Sequence, residues 1–159
     1  MTGLIFSALT LAAILGSGLM AGLFFAFSTA VMAALARLPA GQGATAMNAI
    51  NMVIQNPVFL AVFMGTALVC AALAVKAVLG WSQPGSLWLL AGGLFYLVGI
   101  FGITVVFNVP LNDVLAAVDP ASSEGTALWT RYLDEWVFWN HARTVGGIVS
   151  LASFWLAGR

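Results

Sequence analysis

Hydrophobic positions in this chain come in long blocks, and four such blocks are visible. The first covers about 3–35, longer than the roughly 20 residues a bilayer core requires, so it is expected to tilt or to project from the membrane at one end. No charged residue occurs between Met1 and Arg37, so the basic start of a signal peptide is missing and the block is expected to be a retained span. Arg37, Pro39, Gly41 and Gly43 then break the helix. Over 44–55 the pattern changes. Met47, Ile50 and Ile54 fall on one side while Asn48, Asn51 and Gln55 recur on another, which predicts a short amphipathic helix. Amides without charges suit a helix lying in the membrane interface or lining a polar pocket.

Asn56-Pro57 supplies an N-cap and a proline at the first helical position, opening the second block, about 57–79. Lys76 ends it, and Trp81 and Trp88 mark an interfacial belt around the turn Ser82-Gln83-Pro84-Gly85. The third block covers about 87–107. Pro110 cannot continue the hydrogen-bond ladder, so the helix is predicted to stop or kink near Asn108. After a short segment over 111–118, Asp119-Pro120 offers another helix start. From there the chain is predicted to run through Trp129 and Tyr132 into the fourth block, about 137–157. The predicted fold is all-α: one integral membrane four-helix bundle, with the short amphipathic helix between spans 1 and 2. It is a multi-pass protein of the cell membrane, and the lipid bilayer is its first partner. The count of basic residues on the two sides is nearly tied and slightly opposes cytoplasmic termini, which are nonetheless the orientation preferred.

Composition agrees with this pattern. Of 159 residues, 62% are hydrophobic and only 6% charged, too few charges to cover a water-soluble surface. Five basic and five acidic residues leave no basic patch for nucleic acid. The single cysteine, Cys70, lies within an apolar run and is expected to be a small buried hydrophobe. One His and one Cys cannot assemble a zinc or bis-histidine haem site, and no intramembrane carboxylate cluster points to a di-iron centre. No metal site is therefore expected. A glycine-rich phosphate loop after a strand and a Ser/His/Asp arrangement are also missing.

The chemistry that remains concentrates at the start of the fourth block. Four spans would bring Asn51, Asn56, Asn108, Asn112, Asp113, Trp136, Trp139, Asn140 and Arg143 to one face of the membrane. At about 100° per residue, Trp136, Asn140 and Arg143 share one side of a helix with Gly147, Ser150 and Phe154, with Trp139 close by. Small residues on that stripe let another helix approach, so it is expected to face the bundle interior. An ionisable group inside a membrane-length segment is costly and by default marks a functional site. Arg143 is thus a ligand-binding candidate, although it could also snorkel to headgroups or cap span-3 carbonyls. Asn56 and Asn108 could be backbone caps beside their prolines. Asn112 and Asn140 have no such local explanation and are better pocket candidates. His141 lies far around the helix from the stripe, as an interfacial histidine or a general base. Trp81, Trp88, Trp129 and Trp136 suit belt anchors or stacking platforms. Gly18-Leu-Met-Ala-Gly22 fits a GxxxG helix-packing pattern, expected in a glycine-rich chain to serve an internal helix contact rather than dimerisation.

Two motifs carry a family resemblance. Asn108-Val-Pro-Leu-Asn112, followed by Trp136-x-x-Trp139-Asn140-x-x-Arg143, resembles the anthrone-oxygenase-like family of small four-span membrane proteins. Phe27-Ser28, Val31-Met32 and Asn51 through Asn56-Pro57 are similar to its first half. The resemblance implies oxygenation of an anthrone to an anthraquinone by O₂, with no metal, flavin or other cofactor. A lipophilic aromatic small molecule would then be the partner, held against Trp139, Trp136, Phe24 and Phe27 with Asn51, Asn56 and Asn112 around it. Arg143, Asn140 and Asn108 would supply donors to a developing oxyanion, and His141 or Asp113 a base. A non-enzymatic membrane component, such as a small-molecule exporter or a subunit of a complex, is the alternative from another class. Neither the substrate nor the oligomeric state is legible in the sequence.

Overall fold

The computed structural model describes residues 2–159, and every regular element in it is helical. Helix α1 comprises Thr2–Ala26, a π-helical turn Phe27–Val31 and a last turn Met32–Leu35. Helix α2 is Ala40–Val53 and α3 is Pro57–Leu79. Helix α4 starts as Ser86–Tyr96, passes through π-helical Leu97–Gly102 and Thr104–Asn108, and ends as Val109–Ala117. Helix α5 is Ser123–Ala157, about 52 Å long at 1.5 Å per residue. Helices α1, α3 and α4 are each long and apolar enough to cross a membrane. Helix α5 falls outside that group, because Asn140, His141 and Arg143 interrupt its apolar half.

Three sequence expectations are corrected here, and a fourth holds in part. Of the stop or kink expected near Asn108, the stop does not occur: helix α4 runs on to Ala117. A proline inside a regular α-helix clashes with the carbonyl four residues back. The π-helical turns ahead of Pro110 widen the backbone there and let the axis continue. Asn108 accordingly makes no capping bond. Helix α2 begins at Ala40 rather than residue 44, with Gly41 and Gly43 inside it. Those glycines serve close approach: a Cβ on Gly41 would lie 2.9 Å from the Pro120 carbonyl oxygen, and one on Gly43 2.9 Å from the Trp129 ring. Helix α5 starts after Ser122, whose hydroxyl accepts from the Gly125 amide, while Asp119 closes a turn with Ala121. The GxxxG pattern is half used, since Gly18 meets Leu151 and Gly22 has open space around its Cα.

Each long helix packs on two others, in the cycle α1–α5–α4–α3–α1. Helix α5 is central, and its inward stripe is dense with small residues. A Cβ on Gly146 would sit 3.0 Å from the Gly99 backbone, and one on Gly147 2.8 Å from the Ala21 side chain. Ser150 Oγ donates to the Gly92 carbonyl at 2.8 Å and shares a 3.0 Å bond with Ser17, tying α1, α4 and α5 together. In lipid, where apolar attraction between helices is weak, such close approach and hydrogen bonding hold a bundle together.

Apolar packing forms two clusters. One, around Phe24, Phe63, Cys70, Tyr96 and Phe154, fills the middle of the helices, with Cys70 fully buried. The other packs Met32, Met47 and Leu115 against Trp129, Tyr132 and Trp136 of α5, under α2. Trp129 and Trp136 are therefore core residues rather than belt anchors.

Candidate functional site

A cavity of about 360 Å³ lies where the two clusters meet. That is within the roughly 300–1,000 Å³ typical of small-molecule sites. Phe24 and Phe27 of α1 form one wall, and Met47, Ile50 and Asn51 of α2 cover the top. Phe59 and Phe63 of α3 and Phe101 of α4 form a stacked aromatic floor, with ring centroids 5.6 Å apart at each step. Trp136 and Arg143 of α5 close the back, and Asn112 and Asp113 of α4 stand at the rim.

Arg143 dominates the electrostatics. Its side chain is only 5% exposed and lies between two rings, with the guanidinium carbon 4.2 Å from the Phe24 centroid and 5.0 Å from that of Trp136. One terminal nitrogen donates to Asn140 Oδ1 at 2.7 Å and the other to Thr104 Oγ1 at 3.2 Å. Aromatic faces and neutral oxygens stabilise a desolvated cation only in part. Among the described residues the ion pair is Arg131 with Glu135, on the exposed side of α5, and no carboxylate bridges Arg143. A buried charge left in that condition favours an incoming anion.

Asn140 explains how the guanidinium is held. It is fully buried; its amide donates to the Phe24 carbonyl at 2.8 Å and to Ser28 Oγ at 2.7 Å, while its oxygen receives Arg143. All its strong bonds are made inside the protein, so Asn140 sits behind Arg143 and positions it. Ser28 reaches this network from the π-helical turn of α1, and Thr104 from that of α4. Such turns shift side chains out of the regular helical register and recur at functional sites.

Three lining residues keep a buried N–H without a partner in the protein: Arg143 Nε, Trp136 Nε1 and Asn51 Nδ2. All three are donors. An unmade hydrogen bond of this kind costs about 1–3 kcal/mol, so each of these donors would gain from an acceptor oxygen brought within its reach. Above them Tyr132 stacks between Trp129 and Trp136 at 5.6 and 5.7 Å, and its hydroxyl donates to Asn112 Oδ1 at 2.7 Å. Burial pushes that hydroxyl above the ordinary phenol range, which keeps it a neutral donor.

The structure thus gathers Arg143, Trp136, Asn51, Asn112 and Phe27 around one cavity, with Asp113 on its rim. The other candidates lie elsewhere. Asn108 is buried behind the wall, donating to the Trp136 carbonyl at 3.2 Å. Trp139 stacks flat on Phe107 with centroids 3.6 Å apart, joining α4 to α5 outside the cavity. Asn56 is exposed and caps α3, accepting from Val58 and Phe59 amides at 3.1 and 3.0 Å. His141 is exposed, because two residues of helix turn it about 200° from Arg143. Sequence reasoning missed Tyr132 and Thr104. Tyr132 sits one turn before Trp136 on the same stripe, a legible signal. Thr104 depends on a π-helical register that periodicity does not reveal.

A family model described as anthrone oxygenase matches residues 58–153, from the first turn of α3 to near the end of α5. No curated protein and no solved structure matches the chain.

Proposed function

The chain belongs to the anthrone oxygenase family, and from that premise we propose that its cavity binds a planar phenolic aromatic in the membrane and oxygenates it with O₂. The observation that carries this reading is Arg143: a buried guanidinium between aromatic faces, with no carboxylate on it and free N–H donors beside it. A flat ring fits the Phe24, Phe27 and Phe101 surfaces, and an oxygen that becomes anionic on that ring fits the donors.

The chemistry balances as anthrone plus O₂ giving anthraquinone plus water. Asp113, the carboxylate on the rim, removes a proton from the ring CH₂, and the electron pair moves to the carbonyl oxygen facing Arg143. This enolate is stabilised by the guanidinium and by the Trp136 and Asn51 donors, as an oxyanion hole stabilises a developing alkoxide. It passes one electron to O₂, and the resulting radical pair combines to form a carbon–oxygen bond. The peroxide takes up the proton from Asp113. Loss of the remaining C–H proton with cleavage of the O–O bond releases water and leaves the second carbonyl. The protein's part is to ionise, hold and desolvate the substrate.

The test is O₂ uptake by purified protein in detergent on addition of 9-anthrone. Wild type is expected to consume one O₂ per anthraquinone formed. Arg143→Gln should lower kcat/KM by at least about a hundredfold, the size of effect seen on removing one oxyanion donor. Uptake no faster than a detergent blank, with Arg143→Gln equal to wild type, would instead favour a non-enzymatic membrane component.

A further inference from the structure

We infer that the cavity is filled sideways from the bilayer, through a slot between α3 and α4, by a planar phenol dissolved among the lipid chains. The inference rests on the reading of the cavity as a site for a lipophilic aromatic, and adds how that molecule reaches it. The slot follows from how the two helices diverge. At their far halves they are locked together: a Cβ on Gly93 would lie 2.9 Å from the Cys70 carbonyl oxygen, and Tyr96 donates to the Phe63 carbonyl at 2.9 Å. Beyond Phe101, which still stacks on Phe63, α4 leaves α3 and follows α5. Gly99 lies against Gly146, Phe107 stacks on Trp139, and Asn108 bonds the Trp136 carbonyl.

The gap left behind is the mouth of the cavity. Leu60 and Met64 of α3 and Val105 and Val109 of α4 line it, and all four are exposed. These are apolar side chains on helices that can cross a membrane, so what they face is lipid. At the end nearer the membrane boundary the same mouth carries exposed Gln55 and Asp113. A molecule leaving the lipid would meet apolar surface along its rings, while its oxygens pass the polar end toward Arg143. Lipophilic occupants of lower polarity gain nothing from that end, and water-soluble ones gain nothing from the apolar jambs. An amphiphilic aromatic uses both.

Plugging the mouth after folding tests this without a disruptive substitution. Met64→Cys introduces a thiol at a position 45% exposed, while the native Cys70 is fully buried and spared from alkylation. The protein is reconstituted in phosphatidylcholine vesicles, and 2-hydroxyanthraquinone is added as the probe. Its association is followed by quenching of tryptophan fluorescence before and after treatment with N-benzylmaleimide. Leu68→Cys, on the same helix but off the cavity and 72% exposed, is the control. Alkylated Met64→Cys is expected to bind the probe at least about tenfold more slowly than before treatment, while Leu68→Cys changes less than about twofold. Equal rates before and after alkylation of Met64→Cys would overturn the lateral route and leave the site reading standing. Failure of wild type to bind the probe at all would overturn both.

Discussion

At the scale of single residues, the candidate site is one cation and the neutral groups that hold it. The Asn140 side chain makes three hydrogen bonds, to Phe24, Ser28 and Arg143. Replacing it by leucine strands each partner, and Asn140→Leu is expected to destabilise the protein by about 1–3 kcal/mol, measured by titration with denaturing detergent. The same variant should release Arg143 from its pose and weaken probe binding, a double effect that a purely structural asparagine would not give. Tyr132→Phe removes the bond to Asn112 and is expected to cost about 0.5–1.5 kcal/mol by the same measurement. Much of this was legible in the sequence. The 100° period alone puts Trp136, Asn140 and Arg143 on one inward stripe and His141 away from it. What the period cannot give is which inward residue touches the cavity: Asn140 is one layer deeper than Arg143, a matter of packing between three helices. Asn56 and Asn108 both precede prolines by one or two residues, yet one caps a helix and the other bonds across to α5. Only the shape of the backbone around each separates them.

At the scale of elements, the glycines and π-helical turns set where helices touch and where they part. Gly99 and Gly146 bring α4 onto α5, the contact on which the proposed mouth between α3 and α4 depends. Gly146→Ala places a Cβ 3.0 Å from the Gly99 backbone, so the helices must separate. A loss of about 1–3 kcal/mol is expected, since backbone cannot swing away as a side chain can. Gly22→Ala is the counterpart, with nothing within 4 Å of its Cβ. It should be neutral or stabilising by up to about 1 kcal/mol, through helix propensity. The sequence shows a GxxxG spacing at Gly18 and Gly22 but cannot say which glycines face a neighbour. Helix extent was legible for α3, where Asn56-Pro57 marks the start and Lys76 the last turn. It was not for α4, because a proline ends a regular helix and only the preceding π-helical turns make room for it.

At the scale of the whole molecule, three helices are apolar enough to cross a membrane, and α5 brings the polar groups into their midst. The all-helical architecture follows from long apolar blocks and scarce charge, and both were plain in the sequence. The central proposal is that the buried guanidinium of Arg143 is a seat for an anionic oxygen on a flat ring. The most direct measurement is the ionisation of 2-hydroxyanthraquinone bound to the protein, followed by its visible absorbance as pH is varied. A fixed cation favours the charged form, so the phenol bound to wild type should ionise at lower pH than the same phenol in empty detergent micelles. The shift is expected to be at least about one pH unit, equal to roughly 1.4 kcal/mol of preference for the anion, and to vanish in Arg143→Gln. Identical ionisation in wild type, in Arg143→Gln and in empty micelles would contradict the claim.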